Sequence, residues 1–426
     1  MTGPIVHHLD EVMNHCIHCG LCLPVCPTYA LTQQEQSSPR GRIRLIRSVH
    51  DGSLPMSDGF VDEMSFCLDC QACETACPAG VRYGMLLEDA RGMISERGRE
   101  PFFARLLKKA FFAGVLSSPS RTRSFGRLLR TYERTGLRKA VSGLLTGRLR
   151  EKHELLPFAS GMFFDEEAIP RPAPPVRGRV AFLTGCIMNV AFAEVHRDAV
   201  RVLAANGYEV VIPDSQVCCG SLQGHNGAME AARSLARQNV DAFERVECDS
   251  VVVDSAGCGA FMKEYGHLLA GDPEYAARAE RLAAKTLDIS EFLVRSGFRR
   301  PEPRAGHTSL PVVVTYHEAC HLVHTQRISG EPREIIRSIP GVTLTELPEA
   351  TWCCGSAGIY NVLRFGDSMK LLDRKMENIR RTGAEILATA NPGCHQQLRH
   401  GIRKCGLTMD VVHPVSLLAR AYEGKL

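Results

Sequence analysis

Four cysteines at 16, 19, 22 and 26 recur at 67, 70, 73 and 77, each displaced by the same 51 residues. Both copies, CIHCGLCLPVCP and CLDCQACETACP, follow the pattern C-x2-C-x2-C-x3-C-P. Three thiolates at this spacing wrap one 4Fe-4S cubane from a single loop, while the fourth points away and serves the other cluster in two-cluster ferredoxins. The pattern therefore assigns one cluster to Cys16, Cys19, Cys22 and Cys77, and the other to Cys67, Cys70, Cys73 and Cys26. Paired C-x2-C motifs also build tetrahedral zinc sites, but a triplet followed by Cys-Pro, occurring twice, favours the clusters. The stretch RGRIRLIRSVHDG between the copies has a helical pattern, so a helical ferredoxin-like domain is expected rather than a β-rich one.

A second duplication has a longer period. Cys186, the pair Cys218 and Cys219, and Cys258 recur as Cys320, Cys353 with Cys354, and Cys394, at displacements of 134 to 136 residues. Adjacent cysteines diverge on a regular strand or helix, so each pair needs a turn, which Gly220 and Gly355 are placed to supply. Four thiolates per copy suit a cluster or a zinc ion. Around them, RVAFLT, YEVVIP and DSVVVDS resemble short buried strands, and PVVVTY, VTLTEL and EILATA repeat the order. With helical stretches such as 227–247 between them, this alternation implies parallel α/β units.

The expected fold is α+β and multidomain. Residues 1–95 form an N-terminal α-helical ferredoxin-like two-cluster domain, 96–178 a helical basic segment and Pro-rich linker, and 179–298 and 299–426 two tandem α/β cysteine-rich domains. Of 18 cysteines in 426 residues, only Cys248 and Cys405 fall outside these sets, and they are expected to be plain buried thiols. So many clustered cysteines point to metal ligation in a reducing compartment rather than to disulfides. The start, MTGPIVHHLDEVMNHC, lacks a basic n-region followed by an apolar h-region, so a cytoplasmic chain is expected. No apolar run approaches the roughly 18 residues of a membrane span.

The net charge of +4 conceals an asymmetry, since Arg91 to Lys152 holds 16 Lys and Arg against 4 acids. That stretch, with FFARLLKKAFFAGVL at 102–116, suits a packing helix, an acidic partner or peripheral contact with the inner face of the cell membrane. No nucleic-acid partner is expected, because no reading motif accompanies the charge. HEACH, from His317 to His321, matches the zinc-protease pattern in letters only. It follows the strand VVVTY, and its Cys320 is in register with Cys186. His317 and His321 are instead either donors to a metal-bound thiolate or solvated loop residues. Neither G-x-G-x-x-G after a strand nor a P-loop occurs, so the chain shows no nucleotide site of its own and no catalytic residues. Clusters carry one electron at a time, and removing two from an alcohol requires a flavin elsewhere.

The order CIHCGLCLPVCPTY, SPRGRIRLI, CLDCQACETACPAGVRY, VCCG, SAGCGAFMKEYG, CCGSAGIYN and ANPGC resembles the glycolate oxidase iron-sulfur subunit family from about residue 15 onward. The two cysteine-rich halves are similar to the CCG domains of heterodisulfide reductase, anaerobic glycerol-3-phosphate dehydrogenase and lactate utilisation proteins. The resemblance implies an electron-transfer subunit working with flavin-containing glycolate dehydrogenase subunits, two 4Fe-4S clusters on the eight N-terminal cysteines, and a quinone or other acceptor. Lactate or glycerol 3-phosphate would use a similar conduit. The heterodisulfide reductase motif ends in a further cysteine, where this chain has Phe261 and Gln397, and His-Glu-Ala-Cys-His-Leu stands where relatives often show Asp-Pro-Cys-His-Leu. Two other readings remain: a disulfide or quinone reductase acting at a CCG metal, and a zinc scaffold that recruits partners.

Overall fold

The computed structural model describes residues 10–100, 102–156, 169–303 and 311–426. Much of the expected Pro-rich linker, 157–168, and the central part of the link between the halves, 304–310, lie outside the described residues.

Residues 10–100 are helical, and no strand occurs among those described. Ser38 caps the helix Pro39–His50 by accepting from the Gly41 N–H at 3.0 Å, with proline in the first turn. Ile43, Ile46 and Val49 recur on one face of that helix and meet Phe60 and Met64 of Asp58–Phe66 and Leu86, Leu87, Ala90 and Ile94 of Tyr83–Glu96. Burying these side chains, at about 1.5–3 kcal/mol for each large one, frames the two cysteine loops.

The basic stretch forms the helices Phe102–Lys109, Pro119–Arg134, Leu137–Leu144 and Gly147–Glu154, with a π-helical run Ala110–Leu116. Phe112 and Leu116 of that run pack onto Cys186, Val217 and Cys218, so this part of the segment is a packing element.

Each cysteine-rich half is a four-stranded parallel sheet. In the first, β1 (Gly178–Phe182), β2 (Tyr208–Val211), β3 (Ser250–Val253) and β4 (Thr286–Asp288) lie in the order β2-β1-β3-β4. In the second, β5 (Val312–Tyr316), β6 (Val342–Thr345), β7 (Ile386–Ala388) and β8 (Asp410–Val412) lie in the order β6-β5-β7-β8. Six of these strands are the apolar runs read from the sequence; β4 and β8, three residues each, are not. Alternation decides the facing. Val180, Phe182 and Val252 enter one core while Ala181, Val251 and Val253 enter another, so both sheet faces are covered. Ile335, Val415 and Leu418 of the second half join the first of these cores, which makes the halves one packed body.

Candidate metal centres

The two N-terminal cysteine loops share a backbone. His18 and Asp69, at equivalent positions, have φ of 55° and 54°, and Gly20 and Gln71 have φ of 84° and 58°. Left-handed residues at these points curl each loop so that its three thiols face inward. Cys16, Cys19, Cys22 and Cys77 line one pocket together with Cys73. Cys26 is buried, and its charge weighs on Cys22 of the first loop as well as on Cys70 and Cys73 of the second. The second loop's fourth cysteine, Cys77, thus gathers with the three thiols of the first loop. Burial, then mutual repulsion, pushes the Cys70 and Cys73 thiols well up, a cost that a bound cationic metal core removes.

Arg42 is fully buried between the loops. It donates to the Glu63 backbone carbonyl at 2.9 Å and to Thr28 Oγ1 at 3.0 Å, and Cys67 and Cys26 are among the charges that hold it protonated against burial. A fixed cation here favours the reduced, more negative cluster. Arg42→Gln is expected to lower the potential of the adjacent cluster by on the order of tens of millivolts, read by EPR-monitored redox titration, and Arg42→Lys to lower it less. An unchanged potential in Arg42→Gln would show that the guanidinium only packs.

In both CCG halves the thiols collect at the carboxyl ends of the strands, beside the point where strand order reverses, which is where open α/β sheets bind ligands. Gly220 and Gly355 have φ of 88° and 87°, the turn that lets adjacent cysteines serve one centre. In the first quartet Cys186 Sγ lies 3.3 Å from Cys218 Sγ, and Cys219 joins Cys218 to Cys258. In the second, Cys353 joins Cys320 to Cys354, which in turn meets Cys394. The thiol contact from Cys218 and then burial raise Cys186; the contact from Cys353 and then burial raise Cys320. Such crowded buried sulfurs are the donor set of a metal or cluster. Cys248 and Cys405 pack against apolar cores.

His317 and Glu318 stand in the loop after β5, and a π-helical turn, His321–Thr325, follows Cys320. The HEACH letters therefore do not share a helix face, as a zinc protease requires. His317 is buried and His321 partly buried. His321 Nε2 donates to the Asp69 carbonyl at 2.8 Å. His317 is 1% exposed, both its ring nitrogens lack a hydrogen-bond partner, and its nearer nitrogen and the Cys354 and Cys394 sulfurs lie within 4.8 Å of one another. Burial, helped by Lys375, pushes His317 well below the usual histidine range, so the imidazole is neutral. Sequence reasoning also missed a second grouping. His225 Nδ1 lies 2.6 Å from Glu88 Oε1 and 3.2 Å from Asp69 Oδ2, joining the first CCG half to the cluster domain.

Three family models match the chain. The 4Fe-4S dicluster domain matches residues 12–81, the cysteine-rich domain CCG matches 180–263 and again 314–399, and the linker region of the glycolate oxidase iron-sulfur subunit matches 103–156. The probable glycolate oxidase iron-sulfur subunit of Bacillus subtilis is 40% identical, over 96% of this chain and 94% of its own. The chain belongs to the glycolate oxidase iron-sulfur subunit family. The Escherichia coli glycolate oxidase iron-sulfur subunit is 31% identical over 97% of this chain and 95% of its own. Lactate utilization protein A of Geobacillus thermodenitrificans is 33% identical, over 56% of this chain and 98% of its own. A hypothetical protein from Helicobacter pylori shares the fold at a TM-score of 0.51 and 9% identity, covering 99% of this chain and 73% of that one. As a member of the family with a dicluster domain, the chain is an iron-sulfur protein carrying 4Fe-4S clusters. No helix among the described residues is long and apolar enough to cross a membrane.

Proposed function

We propose that this chain is the electron conduit of a glycolate-oxidising complex, taking electrons from a flavin-containing partner subunit and delivering them toward a quinone or another acceptor. The observation that supports the reading is the gathering of Cys77 of the second loop with Cys16, Cys19 and Cys22 of the first around one pocket. Cys16, Cys19, Cys22 and Cys77 hold one cluster and Cys67, Cys70, Cys73 and Cys26 the other, so each loop is a ligand to both and the two centres are neighbours. When bound, the clusters supply one-electron chemistry, while the hydroxy acid is oxidised at the partner's flavin. The chain's own side chains hold the clusters, bury Cys70 and Cys73 away from water, and set the charge around them through Arg42. The four-part division at 1–95, 96–178, 179–298 and 299–426 follows the same logic, with clusters in the first part and cysteine quartets in the last two.

Glycolate is favoured over lactate because the relatives named for glycolate oxidase span nearly the whole chain, linker included, whereas a lactate utilisation relative spans 56% of it. Low-temperature EPR on the complex isolated without air tests the assignment. Reduced 4Fe-4S signals should grow on adding glycolate and not on adding glycerol 3-phosphate. Signals that appear with dithionite but not with glycolate would discard the substrate or the partner.

A further inference from the structure

The two cysteine quartets come from one duplicated domain, yet their surroundings differ in chemistry. Leu183 and His317 are equivalent: each is the first residue after its strand, and their backbone N–H groups bond the matching carbonyls of Val252 and Ala388, at 3.1 and 2.9 Å. Buried Asn239 and buried Lys375 lie 136 residues apart, at the same place on matching helices. In the first half, Asn239 bonds the Val217 N–H and the Cys218 carbonyl, a neutral clip on the cysteine turn. In the second, the Lys375 ammonium faces Cys353, Cys354 and Cys394 and bonds the Glu349 and Ala350 carbonyls. The second quartet thus has a nitrogen donor and a cation where the first has a leucine and an amide.

What covers the quartets differs too. Cys186 and Cys218 pack under Phe112 and Leu116 of the basic segment. Cys353 and Cys320 pack against Phe66, Leu68 and Cys70 of the cluster domain. Three hydrogen bonds fix that junction: His321 to the Asp69 carbonyl at 2.8 Å, Thr325 to Gln71 at 2.6 Å, and His324 with Thr75 at 2.9 Å. Cys320 is also the thiol whose charge weighs most on Cys70.

We propose that Cys320, Cys353, Cys354 and Cys394, with His317 as an additional ligand, hold a redox-active iron-sulfur centre that exchanges electrons directly with the cluster held by Cys26, Cys67, Cys70 and Cys73. This rests on the N-terminal cluster assignment above. One electron crosses the Cys70–Cys320 junction at a time, with no bond made or broken, and the glycolate-oxidising partner is its source. Zinc in this quartet would stop the electron, having no second oxidation state in reach. His317 takes the part of the fifth donor that Gln397 does not provide, and the Lys375 ammonium offsets the negative charge the centre gains on reduction.

The test uses the complete complex, purified without air, with metal analysis and pulsed EPR. Iron beyond the about 8 atoms of two cubanes should be present, and one signal should carry a histidine-nitrogen hyperfine coupling. His317→Leu, which copies the residue of the first half, should remove that coupling while the two N-terminal signals persist. His317→Cys, which keeps a soft donor, should retain the extra iron without the nitrogen coupling. Iron near 8 with zinc bound, no nitrogen coupling in the wild type, or a coupling that survives His317→Leu would overturn the proposal. Loss of the N-terminal signals from the wild type would instead overturn the cluster assignment on which it stands.

Discussion

Cys22→Ser is expected to abolish passage of electrons to the acceptor while leaving the flavin partner fully reducible by glycolate. Cys22 is half-buried beside Cys16 and Cys26, and burial holds its thiol above the usual range until a metal takes the proton's place. Serine at this point has to ligate as an alkoxide, a far weaker donor at neutral pH, from a loop already curled for sulfur by the left-handed His18 and Gly20. In the proposed conduit the two centres act in series, so damage to one stops the flow through both. The fall in turnover should exceed the roughly 10–100-fold that losing an outer-shell partner costs a metal site. Stopped-flow bleaching of the flavin by glycolate reports the partner, and reduction of a dye acceptor reports the conduit. Flavin bleaching should be intact and dye reduction lost. Cys405→Ser, at the edge of an apolar core, should leave both unchanged. Dye reduction at the wild-type rate in Cys22→Ser would end the conduit reading.

Much of this arrangement is written in the sequence because cysteine spacing is a local code. The 51-residue and 134–136-residue displacements announce two duplications, and apolar runs such as RVAFLT and PVVVTY become β1 and β5 as read. β4 and β8 escape notice because TLD and DVV are too short and too polar to form a pattern; they are strands only because β3 and β7 offer an edge to pair with. His317 was visible but disguised by the protease-like letters around it. Its meaning depends on the empty hydrogen-bond capacity of a buried ring, which no spacing rule reports. The asymmetry between the halves is only half-hidden: the cysteine displacements align Leu183 with His317 and Asn239 with Lys375, but that these four are buried around the quartets shows only in the fold. Contacts between domains are least legible of all. Glu88 and His225 lie 137 residues apart, and neither belongs to a motif.

That last contact carries the largest expected effect on stability. His225 sits against Asp69 and Glu88, with Arg91 Nη1 3.7 Å from Asp69 and bonded at 2.7 Å to the His225 carbonyl. Burial opposes a charge on the imidazole, but the two carboxylates win and raise it to about 10; in return the imidazolium holds Asp69 below the usual carboxylate range despite burial. His225→Leu leaves two carboxylates in a partly dry interface without the imidazolium between them, only Arg91 remaining near Asp69, and breaking a buried pair in this way costs about 3–5 kcal/mol. The sign of the pH dependence follows from the direction of the shift. A histidine that titrates near 6.5 when unfolded and near 10 when folded stabilises fully below about pH 6.5, and that contribution drains away as the pH climbs through about 10. Asp69 acts in the opposite sense, its share being lost as acid protonates it. Thermal melts of the cluster-loaded protein without air, from pH 6 to pH 10, should therefore show a falling midpoint in the wild type and a lower, flatter profile in His225→Leu. In the Glu88→Gln background the further loss from His225→Leu should shrink, since one of the two carboxylates left unpaired is gone. An alkaline slope that survives in His225→Leu would show that another group governs the docking of the cluster domain on the first CCG half.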